Sequence, residues 1–108
     1  MSSRGRERTD GRDPVVKRLI IRSSPFIQAA KRIVKRNPAT ADGLRFALEK
    51  LAEEAFQPGL RTHKLKGDLK GLWACSAGYD LRIVFTFDQH EGEEVILLRT
   101  VGTHDEVY

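Results

Sequence analysis

The sequence predicts an α+β domain in which a helical hairpin covers one face of an antiparallel sheet. Three observations support this fold class: a β-branched segment near the N-terminus, two stretches with apolar residues at helical spacing, and a C-terminal third in which apolar and polar residues alternate. The order β-α-α-β-β-β follows, and a chain of 108 residues has room for one such domain. We place this domain at residues 14–108.

The N-terminal segment differs from the rest in composition. Residues 1–13, MSSRGRERTDGRD, contain no apolar residue after Met1 and are rich in Ser, Gly and Arg, so they predict a disordered basic arm. The next segment, Val15–Arg22 (VVKRLIIR), is β-branched and predicts the first strand.

Two helices are predicted between this strand and the sheet. Ser24 is the expected N-cap of the first helix, Pro25 suits its first position, and Pro38 ends it. The second helix is expected over Ala41–Phe56, with Thr40 as its cap. The apolar stripe of the first helix consists of Phe26, Ala29, Ala30, Ile33 and Val34.

The C-terminal half predicts three strands. Leu72–Ala77 is the first, Gly78 begins a turn, Asp88–Glu94 is expected to be a hairpin loop, and Val95–Val101 is the last strand. In the middle strand, residues on one face are apolar and the other face is partly polar: Leu81, Ile83, Phe85 and Phe87 against Arg82, Val84 and Thr86. The face that carries Arg82 is therefore where we expect function.

Charge is segregated along the chain. The net charge is +4; residues 14–36 carry seven basic side chains and no acidic one, whereas residues 83–108 carry six acidic and one basic. Such segregation is typical of proteins that bind a polyanion, because phosphate neutralisation releases counterions. A solvated basic helix face is the alternative, and charge alone does not separate the two.

Cysteine content and hydropathy suggest the compartment. Cys75 is the only cysteine and cannot form an internal disulfide, and no apolar run approaches the roughly 18 residues of a membrane span. The sequence has no Cys-x-x-Cys or His-x3-His pair. We therefore expect a cytoplasmic protein with no metal and no cofactor.

Three segments of the C-terminal half form a combination of motifs: HKLKGDLKGLWAC, GYDLRIVF and LLRTVGTHDEVY. Together they resemble the RelE/ParE superfamily of bacterial toxins from type II toxin–antitoxin systems, most of all the RelE- and YafQ-like mRNA interferases. The resemblance implies a RelE-like fold and a ribosome-dependent endoribonuclease that cuts mRNA in the A site of the 70S ribosome and so inhibits translation. The implied reaction is metal-independent: the 2′-hydroxyl attacks the adjacent phosphorus and leaves a 2′,3′-cyclic phosphate. A cognate antitoxin is the implied protein partner.

Four residues would carry the central chemistry by this resemblance. His63 stands in H-x-L-x-G as an acid–base group, and His104 in GTH matches the general acid for the 5′-oxygen. Asp80 matches a proton acceptor or the partner of a His, and Arg82 matches the phosphate ligand. The ordinary alternatives are two surface histidines, a turn Asp and an exposed strand Arg.

Four further residues are assigned by weaker matches. Arg99 is a second catalytic candidate, but the extra residue Val101 leaves its facing open. Tyr108 matches a terminal aromatic that stacks on the nucleotide, and Lys64 and Lys66 either bind RNA phosphate or are solvated.

The tail carries a prediction of its own. We expect Gly102 to turn the chain so that His104 reaches the leaving oxygen. Removal of the last five residues should then spare the fold and abolish cleavage.

Two departures from the YafQ-like pattern leave other functions open. Ser76 replaces a His, and Leu81 replaces a Trp, whereas Trp73 and Cys75 are expected to be packing residues. The alternatives are a non-enzymatic, ParE-like toxin that inhibits a partner such as DNA gyrase, and an inactive RNA-binding homologue. The antitoxin is expected to neutralise the basic residues of the first helix, Lys31, Arg32, Lys35 and Arg36.

Overall fold

The computed structural model describes residues 17–69, 71–78 and 80–107. The predicted arm at residues 1–13 and the terminal aromatic Tyr108 lie outside these ranges. The helices are α1 (Ser24–Arg36), α2 (Thr40–Glu53) and α3 (His104–Val107), and the strands are β1 (Leu19–Arg22), β2 (His63–Lys64), β3 (Trp73–Ser76), β4 (Leu81–His90) and β5 (Glu93–Thr103).

The predicted α+β class is confirmed. The strands form one five-stranded sheet in the order β1-β5-β4-β3-β2. All pairings are antiparallel except that of β1 with β5, which run parallel from Leu19 opposite Val95 to Arg22 opposite Leu98. Two short elements were not predicted, the two-residue strand β2 and the one-turn helix α3.

Helix α1 begins one residue earlier than predicted. Ser23, not Ser24, is the N-cap: its hydroxyl accepts a hydrogen bond from the backbone N–H of Phe26 at 3.2 Å. Pro25 then occupies the second helical position, where its missing N–H costs nothing. At the other end the N–H of Asn37 bonds the carbonyl of Ile33, and Pro38 prevents a further turn.

Helix α2 includes its predicted cap and ends before the predicted terminus. Thr40 is its first residue, and its hydroxyl donates to the carbonyl of Asn37 at 2.7 Å. The helix ends at Glu53 because the Gln57 amide donates to the carbonyls of Lys50 and Glu54, at 2.9 and 3.1 Å. A 3-10 turn over Pro58–Leu60 follows.

The predicted loop at Asp88–Glu94 is wrong. Strand β4 continues to His90 and β5 starts at Glu93, so that only Glu91 and Gly92 turn the chain. Both have positive φ, 53° and 83°. This is the geometry of a type I′ turn, whose twist matches that of the two strands.

The sheet has a thick core on one face and a thin one on the other. The helix-side core joins α1 and α2 to the sheet, and its buried residues are Phe26, Ala29, Leu44, Ala47, Leu51, Ala55, Leu60, Cys75, Ala77, Leu81, Ile83, Phe85, Ile96, Leu98 and Val101. On the opposite face Leu65, Ala74 and Val84 form a small second core with Leu69, Leu72 and Val107 at its margin. We call this second side the open face. No helix in the described ranges is both long and apolar enough to span a membrane.

Candidate active site

Cross-strand pairing aligns several predicted site residues on the open face. Ser76 pairs with Arg82, and Arg82 pairs with Gly102, so the three form one row across β3, β4 and β5. His63 belongs to the next row of the same face, because it pairs with Ala74, which pairs with Val84. His63 and Arg82 are thus on the same face with β3 between them, and their strands lie about 10 Å apart.

Asp80 and His104 lie at one end of the same sheet. Leu81, the first residue of β4, pairs with Thr103, the last of β5. Asp80 precedes one and His104 follows the other, so the two flank adjacent strand ends. Asp80 is exposed and has a φ of 62°, a left-handed conformation that Asp tolerates better than most residues. The structure therefore brings Asp80, Arg82 and His104 to one end of the sheet and leaves His63 two strands away.

Asp80 borders two clefts. The larger, of about 780 Å³, separates the strand ends from α2 and the 3-10 turn, and Arg61, Ser76 and Arg82 also line it. The smaller, of about 210 Å³, has Thr103 and Glu106 in its wall together with the basic residues Arg32 and Arg36. Arginines thus flank Asp80 on both sides.

The hydrogen bond of His63 defines its tautomer. Its Nδ1 lies 2.9 Å from the carbonyl oxygen of Arg61. Because a carbonyl only accepts, Nδ1 carries the proton, and Nε2 is the proton-accepting nitrogen of the neutral ring. His63 is exposed and in a form suited to a general base.

His104 has an acidic neighbour. Its Nδ1 lies 3.7 Å from Asp105 Oδ1, which makes an ion pair when the ring is protonated. The protonated ring is the form that a general acid requires.

Arg82 is partly buried, and its neighbour Cys75 is not a nucleophile. One guanidinium nitrogen of Arg82 donates to the carbonyl of Leu81 at 3.0 Å. Burial raises the pKa of the Cys75 thiol to about 12, and the positive charge of Arg82 acts in the opposite direction with a smaller effect. The thiol is therefore neutral at physiological pH, as the expected packing role requires.

Arg99 is the extra residue of a β-bulge. Val84 pairs with Thr100 and the next residue, Phe85, pairs with Leu98, so Arg99 has no partner in the β4 register. Its side chain is exposed, and its carbonyl accepts from the Ser23 hydroxyl at 3.3 Å. Because the bulge adds one residue to β5, the residues after it change face. Thr100 and Gly102 lie on the open face, and Val101 lies in the helix-side core.

The prediction that Gly102 turns the chain is wrong. Gly102 is a buried residue within β5, and the chain turns after Thr103 into α3. A Cβ at position 102 would lie 3.1 Å from Glu106 Cβ and 3.2 Å from Val107 Cγ1. The glycine therefore allows α3 to fold back onto the open face, and the Glu106 carboxylate fixes that fold by accepting from the Thr103 N–H at 2.8 Å.

The two predicted RNA-binding lysines lie in different places. Lys64 pairs with Trp73 and its ammonium lies 5.6 Å from the centroid of that ring, on the helix side of the sheet. It is therefore on the opposite face from His63. Lys66 is exposed in the connection after β2.

The four basic residues of α1 are all exposed but do not share one surface. Arg32 and Arg36 border the small cleft beside Asp80. Lys31 instead borders a groove of about 700 Å³ between β1, α1 and α2. The location of Arg32 and Arg36 beside Asp80 was not predicted, because it depends on how α1 packs against the sheet.

The two departures from the YafQ-like pattern differ in their consequences. Leu81 is only 7% exposed and belongs to the helix-side core, so this replacement lies away from the open face. Ser76 lies on the open face directly opposite Arg82. Ser76 therefore changes the polar chemistry beside Arg82, whereas Leu81 contributes an apolar side chain to the wall of the smaller cleft.

Arg61, like Lys50, lines the larger cleft and was not singled out by the sequence analysis. It has a φ of 54° and follows the 3-10 turn. Its signal in the sequence is weak, a basic residue two positions before His63. Among the described residues, no three His, Cys, Asp or Glu side chains cluster as metal ligands would.

Solved structures of other proteins share this fold. No family model and no curated protein matches the sequence. Among solved structures, the chain is similar to the Escherichia coli DinJ–YafQ toxin–antitoxin complex, with 16% identity over 86% of this chain and 99% of that chain and a TM-score of 0.67. A YoeB/ParE toxin from Agrobacterium tumefaciens gives 13% identity, 80% and 98% coverage, and a TM-score of 0.65.

A third similar structure, a metal-bound toxin from Helicobacter pylori, shares 25% identity over 83% of this chain and 98% of that one, with a TM-score of 0.61. The matches cover nearly the whole of each toxin chain. The resemblance predicted from the motifs is therefore confirmed at the level of the fold, and the chain has the fold of the RelE/ParE toxin superfamily, with YafQ and YoeB/ParE toxins among its structural neighbours.

Proposed function

We propose that the protein is the toxin of a type II toxin–antitoxin pair and acts as an endoribonuclease on mRNA in the ribosomal A site. The observation that carries this proposal is the placement of Asp80, Arg82 and His104 at one end of the sheet, with His63 on the same face as Arg82. An inhibitor that acts only by binding has no need of this combination of acid–base and cationic groups.

The reaction is an internal attack of the ribose 2′-hydroxyl on the adjacent phosphorus. His63 Nε2 accepts the hydroxyl proton, since its Nδ1–H is held by the Arg61 carbonyl. The 2′-oxygen then bonds to phosphorus while the bond to the 5′-oxygen breaks. His104 protonates that leaving oxygen, which gives a 2′,3′-cyclic phosphate and a free 5′-hydroxyl.

Arg82 stabilises the charge that develops on the phosphorane-like transition state. Its planar guanidinium matches two phosphate oxygens, and partial burial strengthens that interaction. Asp80 and His104 flank adjacent strand ends, and Asp80 acts as the second acceptor or as the partner of the histidine. Ser76, opposite Arg82, adds a hydroxyl to the phosphate site in place of an acid–base group.

The antitoxin is proposed to occupy the groove between β1, α1 and α2. Its lining includes the apolar residues Ile20, Ile27, Leu44 and Leu48, four cations (Arg18, Arg22, Lys31 and Arg45) and one carboxylate, that of Glu49. Arg18 is already paired with Glu94 and Arg45 with Asp42, so Arg22 and Lys31 are the cations proposed to meet the antitoxin. An amphipathic segment with acidic residues fits this combination. The toxin–antitoxin complex among the similar structures supports a partner of this kind.

The test is expression of the wild type and His104→Ala, followed by mapping of 5′ ends on translated mRNA. His90→Ala is the matched control, because His90 is exposed at the β4–β5 hairpin, away from the strand end of the site. The proposal expects codon-phased cuts with the wild type and His90→Ala and none with His104→Ala. Growth arrest with intact mRNA in all three would reject it and favour a ParE-like inhibitor of a partner such as DNA gyrase.

A further inference from the structure

Phe46 is an exposed aromatic in the wall of the larger cleft beside Asp80. It lies on α2, outside the buried stripe of Leu44, Ala47 and Leu51, and is 60% exposed. A single exposed Phe needs no explanation by its exposure alone. Phe46 requires one because it faces the same cleft as Asp80 and Arg82.

The wall that carries Phe46 is held close to the strand ends. A Cβ on Gly43, one helical turn earlier, would lie 3.1 Å from the carbonyl oxygen of Ala77. This close approach fixes α2 against the end of β3. The distance between Phe46 and the Arg82 side of the cleft is therefore set by backbone packing, not by flexible side chains.

Phe46 is accompanied by a cation. The Lys50 ammonium lies 5.2 Å from the centroid of the Phe46 ring, within range of a cation–π interaction, and 3.8 Å from Glu53 Oε1. Lys50 also lines the cleft. An aromatic face and a positive charge one helical turn apart are what a nucleobase and its phosphate require.

The charge of the cleft favours an anionic occupant. Its described lining contains three cations, Lys50, Arg61 and Arg82, and one carboxylate, that of Asp80. Arg61 follows the 3-10 turn, and it lines this cleft together with Ser76 and Arg82. Cations are thus present both beside the proposed scissile phosphate and on the wall of α2.

We propose that Phe46, Lys50 and Arg61 form a subsite for the nucleotide next to the scissile phosphate, with its base stacked on Phe46 and its phosphate paired with Lys50 and Arg61. This inference rests on the proposed nuclease function and adds to it a nucleotide-binding element on α2. The volume of about 780 Å³ is large enough for Arg82 and the subsite to hold adjacent parts of one RNA strand.

The test is direct binding of a short oligoribonucleotide with a 2′-deoxy substitution at the scissile position, which cannot be cleaved. Fluorescence anisotropy is measured with the full chain, Phe46→Ala, Phe46→Trp and the control Gln89→Ala. Gln89 is exposed at the hairpin end of β4, away from the clefts and from the antitoxin groove. Loss of a base stack predicts roughly 5- to 150-fold weaker binding by Phe46→Ala. Phe46→Trp and Gln89→Ala should bind as the wild type does.

The cations give a second readout. Lys50→Gln and Arg61→Gln should each reduce the salt dependence of binding, by about 0.7 in the slope of log K against log salt. Equal affinity of wild type and Phe46→Ala, or no measurable binding by the wild type, would overturn the subsite. Weakened antitoxin binding by Phe46→Ala with unchanged RNA affinity would do so too, and would assign Phe46 to a protein contact.

Failure of the subsite is distinguishable from failure of the nuclease proposal. The nuclease proposal fails if the wild type makes no codon-phased cuts, whatever Phe46→Ala binds. If cutting is observed, Phe46→Ala should raise KM for ribosome-bound mRNA more than it lowers kcat, because a stacked neighbouring base contributes the same binding before and during reaction. A fall in kcat alone would contradict the subsite.

Discussion

The two faces of the sheet differ in how they are built. The helix side is a continuous apolar core whose largest side chains, among them Phe85, Leu51 and Ile83, are fully buried. On the open face, the buried apolar residues of the described ranges are fewer, namely Leu65, Ala74, Val84 and Val95, and the face carries Arg82, Ser76 and His63 as well. The helix side therefore supplies most of the stability of the fold, and the open face is available for polar chemistry.

The tail was expected to be dispensable for folding, and the structure modifies that expectation. Val107 packs at the margin of the open-face core. Deletion of residues 104–108 should therefore abolish cleavage, since His104 is removed, and also lower the free energy of unfolding by about 1 kcal/mol. Single-turnover cleavage and urea unfolding measure the two effects.

The control for this deletion is Asp105→Asn, whose side chain is fully exposed. It should leave the free energy of unfolding unchanged. Cleavage by the truncated chain at the wild-type rate would contradict the assignment of catalysis to this end of the sheet.

The two residues of β2 lie on opposite faces of the sheet, so their variants test the faces separately. His63 lies on the open face, and Lys64 lies over Trp73 on the other. His63→Ala should slow cleavage by about 10²- to 10⁴-fold, the usual contribution of a general base. Lys64→Ala should change it by no more than a few-fold. Comparable losses in both variants would show that the strand, and not the face, matters.

Gly102 tests whether α3 must lie close to the sheet. The close contacts of an added Cβ with Glu106 and Val107 predict that Gly102→Ala displaces α3 and slows cleavage by about 100-fold. His90→Ala is the control, because His90 is exposed at the hairpin end of β4, away from α3 and from both clefts. An NMR shift map confined to α3 and its neighbours, together with the rate, would support this explanation; an unchanged rate would not.

The sequence predicted the helix-side face better than the open face, for a physical reason. Alternation in β4 and the stripe of α1 are local patterns, and both correctly identified core residues such as Ile83 and Phe26. The role of Gly102 depends on a helix that folds back, and the neighbours of Arg99 depend on a register shift. These are contacts between distant segments, which no local pattern encodes.

Two further predictions, the N-cap of α1 and the loop between β4 and β5, were wrong for local reasons. The N-cap of α1 is Ser23 and not the predicted Ser24. The sequence did not separate them, because either serine hydroxyl could accept a hydrogen bond from a backbone N–H of the first turn. The Glu91–Gly92 turn was missed because the polar stretch around it resembled a loop, whereas its two positive φ values let both strands continue.

Cys75 provides the smallest expected effect and a check of burial in the helix-side core. Burial raises its pKa from 9.0 to about 12. The unfolded chain therefore loses the thiol proton first, so this group's contribution to stability is present below pH 9 and decreases as the pH rises towards 12. The difference in free energy of unfolding between wild type and Cys75→Ala should shrink over that range, while cleavage at pH 7 stays the same. A difference that is constant with pH would mean that the thiol is solvated.

The most direct test of the two-face account compares Arg82→Ala with Ile83→Ala, adjacent residues on opposite faces of β4. Urea unfolding and cleavage of ribosome-bound mRNA are measured for both. Arg82→Ala should cut about 10²- to 10³-fold more slowly with little change in stability. Ile83→Ala should lose about 2–5 kcal/mol of stability while its folded fraction cleaves at close to the wild-type rate. Wild-type cleavage by Arg82→Ala, or loss of cleavage in fully folded Ile83→Ala, would contradict the account.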